Sequence, residues 1–94
     1  MELKGVTIMM KKLIYLVADG IDMHAYDTES RARMEYEYIV KGAWENCIKF
    51  SCPKGEFYDD YGRTLKVAIK EHYTMINGRT IIMRPVVMIE EGEE

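Results

Sequence analysis

The chain has 94 residues, 48% of them hydrophobic, 31% charged and 11% aromatic, with a net charge of −3. That length suits one domain spanning 1–94, with a modest core and little room for a deep, enclosed active site. No run approaches the roughly 18 apolar residues of a membrane span, and the apolar run 13–18 behind Lys11 and Lys12 is cut short by Asp19 before it reaches the length of a signal core. A cytoplasmic protein with no membrane partner is expected. The charge is unevenly placed. Glu90, Glu91, Glu93 and Glu94 belong to the last five residues, and without them thirteen bases face twelve acids, a net of +1. Residues 90–94 therefore read as an acidic tail and 1–5 as a loose N-terminus, around a body close to neutral.

The first element in chain order is a hairpin over 12–26, with Asp19-Gly20 as a type I′ turn. Pairing outward from that turn sets Ala18 opposite Ile21, Leu16 opposite Met23 and Ile14 opposite Ala25, a wholly apolar face. The other face pairs Val17 with Asp22, Tyr15 with His24 and Leu13 with Tyr26, a mixed and wetter one. A helix should follow. Thr28 is a good N-cap, Glu29 suits the positive end of the helix dipole, and Gly42 suits the C-terminal stop. Ala32, Tyr36, Ile39 and Val40 form its core stripe, and Trp44 just beyond plugs the end of the core.

Residues 43–62 read as a second hairpin, with partial alternation over 46–52, a Cys52-Pro53-Lys54-Gly55 turn and a short return over 56–60. In the last segment, Asn77-Gly78 can join strands over 65–76 and 79–90. That pairing brings together Met75 and Thr80, Tyr73 and Ile82, Ile69 and Val86, Val67 and Met88, and Glu71 and Arg84. A helix over 64–76 competes, because Leu65, Ala68 or Ile69, His72 or Tyr73, and Ile76 also fit helical spacing. The many β-formers and the Glu71–Arg84 match favour the strand. The expected fold is α+β: an antiparallel sheet of hairpins curled over one helix, in the order β-β-α-β-β-β-β. The alternative is a β-α-β-β-α-β ferredoxin-like sandwich.

Chemistry is sparsely signalled. The order His24, Cys47, Cys52, His72 has none of the close ligand pairs of a structural metal site, so no metal or cofactor is expected. On a strand, Cys47 and Cys52 would stand roughly 16–17 Å apart on opposite faces, too far for a disulfide, and read as buried thiols in a reducing compartment. A cysteine-dependent enzyme using either thiol with His24 or His72 is a remote alternative, since neither thiol has a signalled cationic neighbour. Lys4, Lys11 and Lys12, with Arg63, Lys66, Lys70, Arg79 and Arg84, raise a second alternative, a nucleic-acid-binding module. Acids dilute those cations at nearly every step, so nucleic acid is not the expected partner.

The candidate partner-binding residues are Phe57, Tyr58, Asp59, Asp60 and Tyr61, aromatics and acids beside a turn. The structural alternative makes Phe57 and one tyrosine core. Tyr15, Asp22, His24 and Tyr26 form a second candidate surface. The expected function is a small non-enzymatic protein–protein interaction domain, an adaptor, regulator or inhibitor of a larger protein with a basic surface. A phage-type inhibitor that blocks a nucleic-acid-binding partner is one form of it. Homodimerisation through an open sheet edge is compatible with this reading.

Overall fold

A computed structural model describes residues 8–51 and 55–92, with side chains placed for 12–51 and 55–88. Its elements are β1 (Ile8–Asp19), β2 (Asp22–Tyr26), α1 (Glu29–Ser51), α2 (Leu65–Glu71), β3 (Tyr73–Ile76) and β4 (Arg79–Gly92). The four strands form one antiparallel sheet in the order β2-β1-β4-β3. The fold is α+β, one main helix against an antiparallel sheet, with a short second helix. The strands expected over 46–52 and 56–60 are replaced by the end of α1 and an irregular loop. The loose N-terminus over 1–5 and residues 52–54 of the expected turn lie outside the described residues. Glu90 and Glu91, read as tail, belong to β4.

The first hairpin turns at Gly20-Ile21 rather than Asp19-Gly20. Asp19 pairs with Asp22, Val17 with His24 and Tyr15 with Tyr26. The Gly20 amide donates to the Thr80 carbonyl (2.9 Å), and the Asp19 carboxylate takes a two-point ion pair from Arg79. Both contacts tie the turn to β4 and set its register. The shift is two residues, so side-chain alternation survives it: Ile14, Leu16 and Ala18 still share a face with Met23 and Ala25. That apolar face, however, is the uncovered one. Helix α1 packs on the opposite side, where Val17, Ile76, Ile81 and Met83 are buried and Tyr15 and Tyr26 are half-buried against them. The whole sheet decides this. Arg84 lies directly across from Leu16, and a helix laid over that face would bury an arginine without a partner.

Helix α1 starts where expected, with the Thr28 hydroxyl accepting from the Arg31 amide (3.2 Å). It does not stop at Gly42. An interior glycine costs about 1 kcal/mol relative to alanine, but Ala43 and Trp44 are buried on the next turn and continue the stripe of Ala32, Tyr36 and Val40. Burying a tryptophan outweighs that cost, so the helix runs on to Ser51.

The two readings of 64–76 each hold over part of the segment. Thr64 caps α2 through its hydroxyl, which accepts from the Val67 amide (3.4 Å). His72 ends the helix in the left-handed region at φ 61°. Strand β3 then pairs Tyr73 with Ile82 and Met75 with Thr80 as expected. The pairs Ile69–Val86, Val67–Met88 and Glu71–Arg84 do not form, because their first members lie on α2. Asn77 (φ 51°) and Gly78 (φ 81°) both hold the positive φ of the expected type I′ turn. Gly78→Ala should therefore lower stability by about 1–2 kcal/mol, read as a lower urea midpoint at unchanged slope.

Candidate functional site

The loop 55–64 carries the first candidate surface, and most of it is fastened inward. Phe57 meets Trp44 edge-on with ring centroids 5.0 Å apart, while the Trp44 indole N–H donates to the Phe57 carbonyl (3.1 Å). Asp59 is buried. Its carboxylate accepts from the amides of Tyr61 (3.0 Å) and Arg63 (2.8 Å), the Arg63 Nε (2.9 Å) and the Thr74 hydroxyl (2.8 Å). Burial alone would raise its pKa, but the Arg63 amide, the Thr74 hydroxyl and the Arg63 guanidinium together outweigh burial and hold it below the ordinary aspartate range. Asp60 caps the β3–β4 turn, accepting from the amides of Asn77 (2.8 Å) and Gly78 (2.7 Å). Its own amide donates to the Met75 carbonyl (2.8 Å).

Arg63 packs against the rings of both Tyr61 and Tyr73, its guanidinium carbon 4.8 and 4.4 Å from their centroids. It also donates to the Tyr73 carbonyl (2.7 Å). Of the five residues singled out here, Tyr58 and Tyr61 present rings to solvent, Phe57 packs on the core, and both carboxylates hold the chain's own backbone. Sequence proximity alone could not reveal this, because the partners Thr74, Asn77 and Gly78 are 15 to 18 positions away.

The second candidate surface divides. Asp22 and His24 are exposed, whereas Tyr15 and Tyr26 pack against the core under α1. His24 faces Val17 across the strands instead of Tyr15. His72 lies opposite Met83, whose amide donates to its carbonyl (2.9 Å). Its ring turns inward, edge-on to Tyr36 at 6.1 Å. Cys47 sits half-buried on α1, with the Asn77 side-chain amide 3.9 Å from its sulfur. Among the described residues no group of three or more His, Cys, Asp or Glu side chains is placed to hold a metal ion. No described helix is long and apolar enough to cross a membrane.

One apolar surface that neither described helix covers is the open sheet face. Leu16, Ala18, Met23, Ile82, Arg84 and Val86 line a shallow depression of about 310 Å³. Met23 keeps 62% of its surface exposed and Met88 keeps 43%. The sequence marks half of this face as apolar but assigns it to the core; the signal against that assignment is Arg84, which alternation places at its centre.

No protein-family model matches the chain, and no curated protein or solved structure was found to be similar to it. The functional reading therefore rests on the surface itself. Two of the cations that suggested a phosphate-binding hairpin are already engaged, Arg63 by Asp59 and Arg79 by Asp19.

Proposed function

We propose that the chain is a cytoplasmic, non-enzymatic protein-interaction domain, an adaptor, regulator or inhibitor that works by contact with protein. The observation that carries this reading is the open face of the sheet, a largely apolar strip from Ile14 and Val86 to Ala18 and Ile82, with Arg84 at its centre, that neither helix covers. Contiguous apolar surface of this kind costs free energy in water and marks interaction sites in soluble proteins. The exposed rings of Tyr58 and Tyr61 add a second contact of the kind that dominates interface energetics. The acid-rich end of the sequence supports a partner with a basic surface. A nucleic-acid-binding role has less support, because the ion pairs of Arg63 and Arg79 leave a thinner set of cations for phosphate.

The test is capture of partners by the tagged chain from its host's lysate, with and without nuclease. One stoichiometric protein surviving nuclease is the expected result; loss of all bound protein on nuclease treatment would transfer the role to nucleic acid. Replacing Tyr58 and Tyr61 together by Ala should weaken that complex by about tenfold or more. Unchanged affinity would remove both rings from the contact.

A further inference from the structure

We propose that the open sheet face binds an amphipathic helix of a partner protein, one that carries an aspartate or glutamate between bulky apolar residues on its buried side. The proposal rests on the reading that protein covers this face, and it names the segment that does so.

The placement of Arg84 carries the argument. Arg84 stands directly across from Leu16, with Ile82 and Val86 on either side of it along the same face of β4. Lys12, Arg63 and Arg79 pair with Asp27, Asp59 and Asp19, whereas among the described residues no hydrogen bond or ion pair engages Arg84. In the free chain, water solvates its exposed guanidinium. A wholly apolar partner would strip that water and bury the charge without a counter-ion, which is strongly unfavourable. A carboxylate in the same place accepts two parallel N–H bonds from the guanidinium, which replaces the lost hydration and fixes the partner's register. Apolar cover and one central acid are therefore a single requirement.

The relief of the strip selects a helix. Ala18 lies between Met23 and Ile82, a low point flanked by two long side chains. Those neighbours are two strand spacings apart, roughly 10 Å, and a helix with its side chains is about 10–12 Å across. Along β4, Ile82 and Arg84 are separated by about 6–7 Å, close to the rise of about 6 Å over four helical residues. A bulky apolar residue seated over Ala18 thus lies one turn from an acid at Arg84, and the next turn meets Val86. The opposite face of this sheet already packs a helix in the same manner, through Ala32, Tyr36 and Val40 of α1. Met23 and Met88, exposed and unbranched, adapt to the apolar residues that flank the acid.

Charge also distinguishes this occupant from another copy of the chain. Among the described side chains of the strands, this face shows Lys12 and Arg84 and no acid, so a second copy would set cation against cation. A partner that is basic elsewhere still fits, because the strip asks for one carboxylate within an apolar stripe.

The test is selection of helical peptides of about 18 residues, displayed with one face randomised, against the full chain, followed by fluorescence anisotropy of the selected peptides. The expected result is an acid at one position, with bulky apolar residues three or four positions to either side. Replacing that acid by Lys should weaken binding by about tenfold or more, as should Arg84→Glu, and combining the two changes should restore much of it. General damage to the face does not produce such recovery. Arg84→Ala should weaken the acid-bearing peptide alone, and it keeps the test standing if Arg84→Glu fails to fold. Peptides selected without an acid, peptides indifferent to Arg84, or an absence of binders would overturn the proposal. Capture from lysate with the same variants separates the two readings. A captured protein that Leu16→Glu releases and Arg84→Ala does not leaves the interaction reading standing and removes the acid-bearing helix. Capture untouched by both substitutions takes the face out of the contact, and both readings fall. A chain that sediments at twice 11.0 kDa through this face gives it to a second copy and overturns the proposal.

Discussion

Asp59→Ala is expected to cost about 3–5 kcal/mol, enough to unfold a large fraction of a domain this small. The substitution strands the Arg63 guanidinium, the Thr74 hydroxyl and the amides of Tyr61 and Arg63, all of which now donate to one carboxylate. It also removes one of the loop's links to β3, the Thr74 hydroxyl, leaving the Asp60 amide on the Met75 carbonyl and Arg63 on the Tyr73 carbonyl. Asp59→Asn keeps the shape and one acceptor but loses the charge, and should cost less. The acid limb of the stability curve tests the same contact. Asp59 titrates below its unfolded value because the hydrogen bonds and Arg63 overcome the opposing effect of burial. Its contribution is therefore fully present above the unfolded aspartate value of about 3.9 and is lost as pH falls through the lower, folded one. Urea midpoints measured from neutral pH down to about pH 3 should fall in the wild type and fall less in Asp59→Asn. Parallel curves would show that the carboxylate contributes no pH-dependent stability.

Tyr36→Ala should cost a similar amount, about 3–5 kcal/mol. Tyr36 has no exposed surface, and its hydroxyl donates to the Ala68 carbonyl (2.7 Å), so one side chain joins α1 to α2. Tyr36→Phe separates volume from hydrogen bonding. It keeps the ring, leaves the Ala68 carbonyl without its donor, and should cost about 1–2 kcal/mol. Burial pushes the Tyr36 hydroxyl well above the ordinary tyrosine range, with Asp59 adding to the rise and Arg63 opposing it. The folded chain thus keeps this proton at pH values where the unfolded chain loses it. Its contribution is complete below the unfolded tyrosine value of about 10 and declines as pH rises beyond it. Tyr36→Phe should flatten that alkaline decline. Equal slopes in the two proteins would exclude Tyr36 ionisation as its source.

The parts of the fold legible in the sequence are those set by short-range chemistry. Thr28 begins α1, the 32–36–40 stripe faces the core, and Asn77-Gly78 turns β3 into β4, because capping, helical period and positive φ are decided within a few residues. The misread parts lie where a distant contact outweighs a local preference. Gly42 is a reasonable stop signal, overridden by the burial of Ala43 and Trp44 against the sheet and the Phe57 loop. Residues 65–76 suit helix and strand alike, and the change between them falls at His72, where the chain takes a left-handed residue and its carbonyl receives the Met83 amide. Asp59 and Asp60 look like surface charge in sequence because the groups they hold arrive from the far hairpin.

By itself the sequence determined the α+β class and the division of each strand into two faces, because a period of two depends only on the order of residues. It could not decide which face is dry. Both sides of the first hairpin carry enough apolar groups to pack, and the choice between them belongs to the assembled sheet. There Ile81, Met83 and Ile76 extend the Val17 side, while Arg84 interrupts the Leu16 side. The tertiary structure therefore placed the helix, and in doing so left open the face on which the proposed function depends.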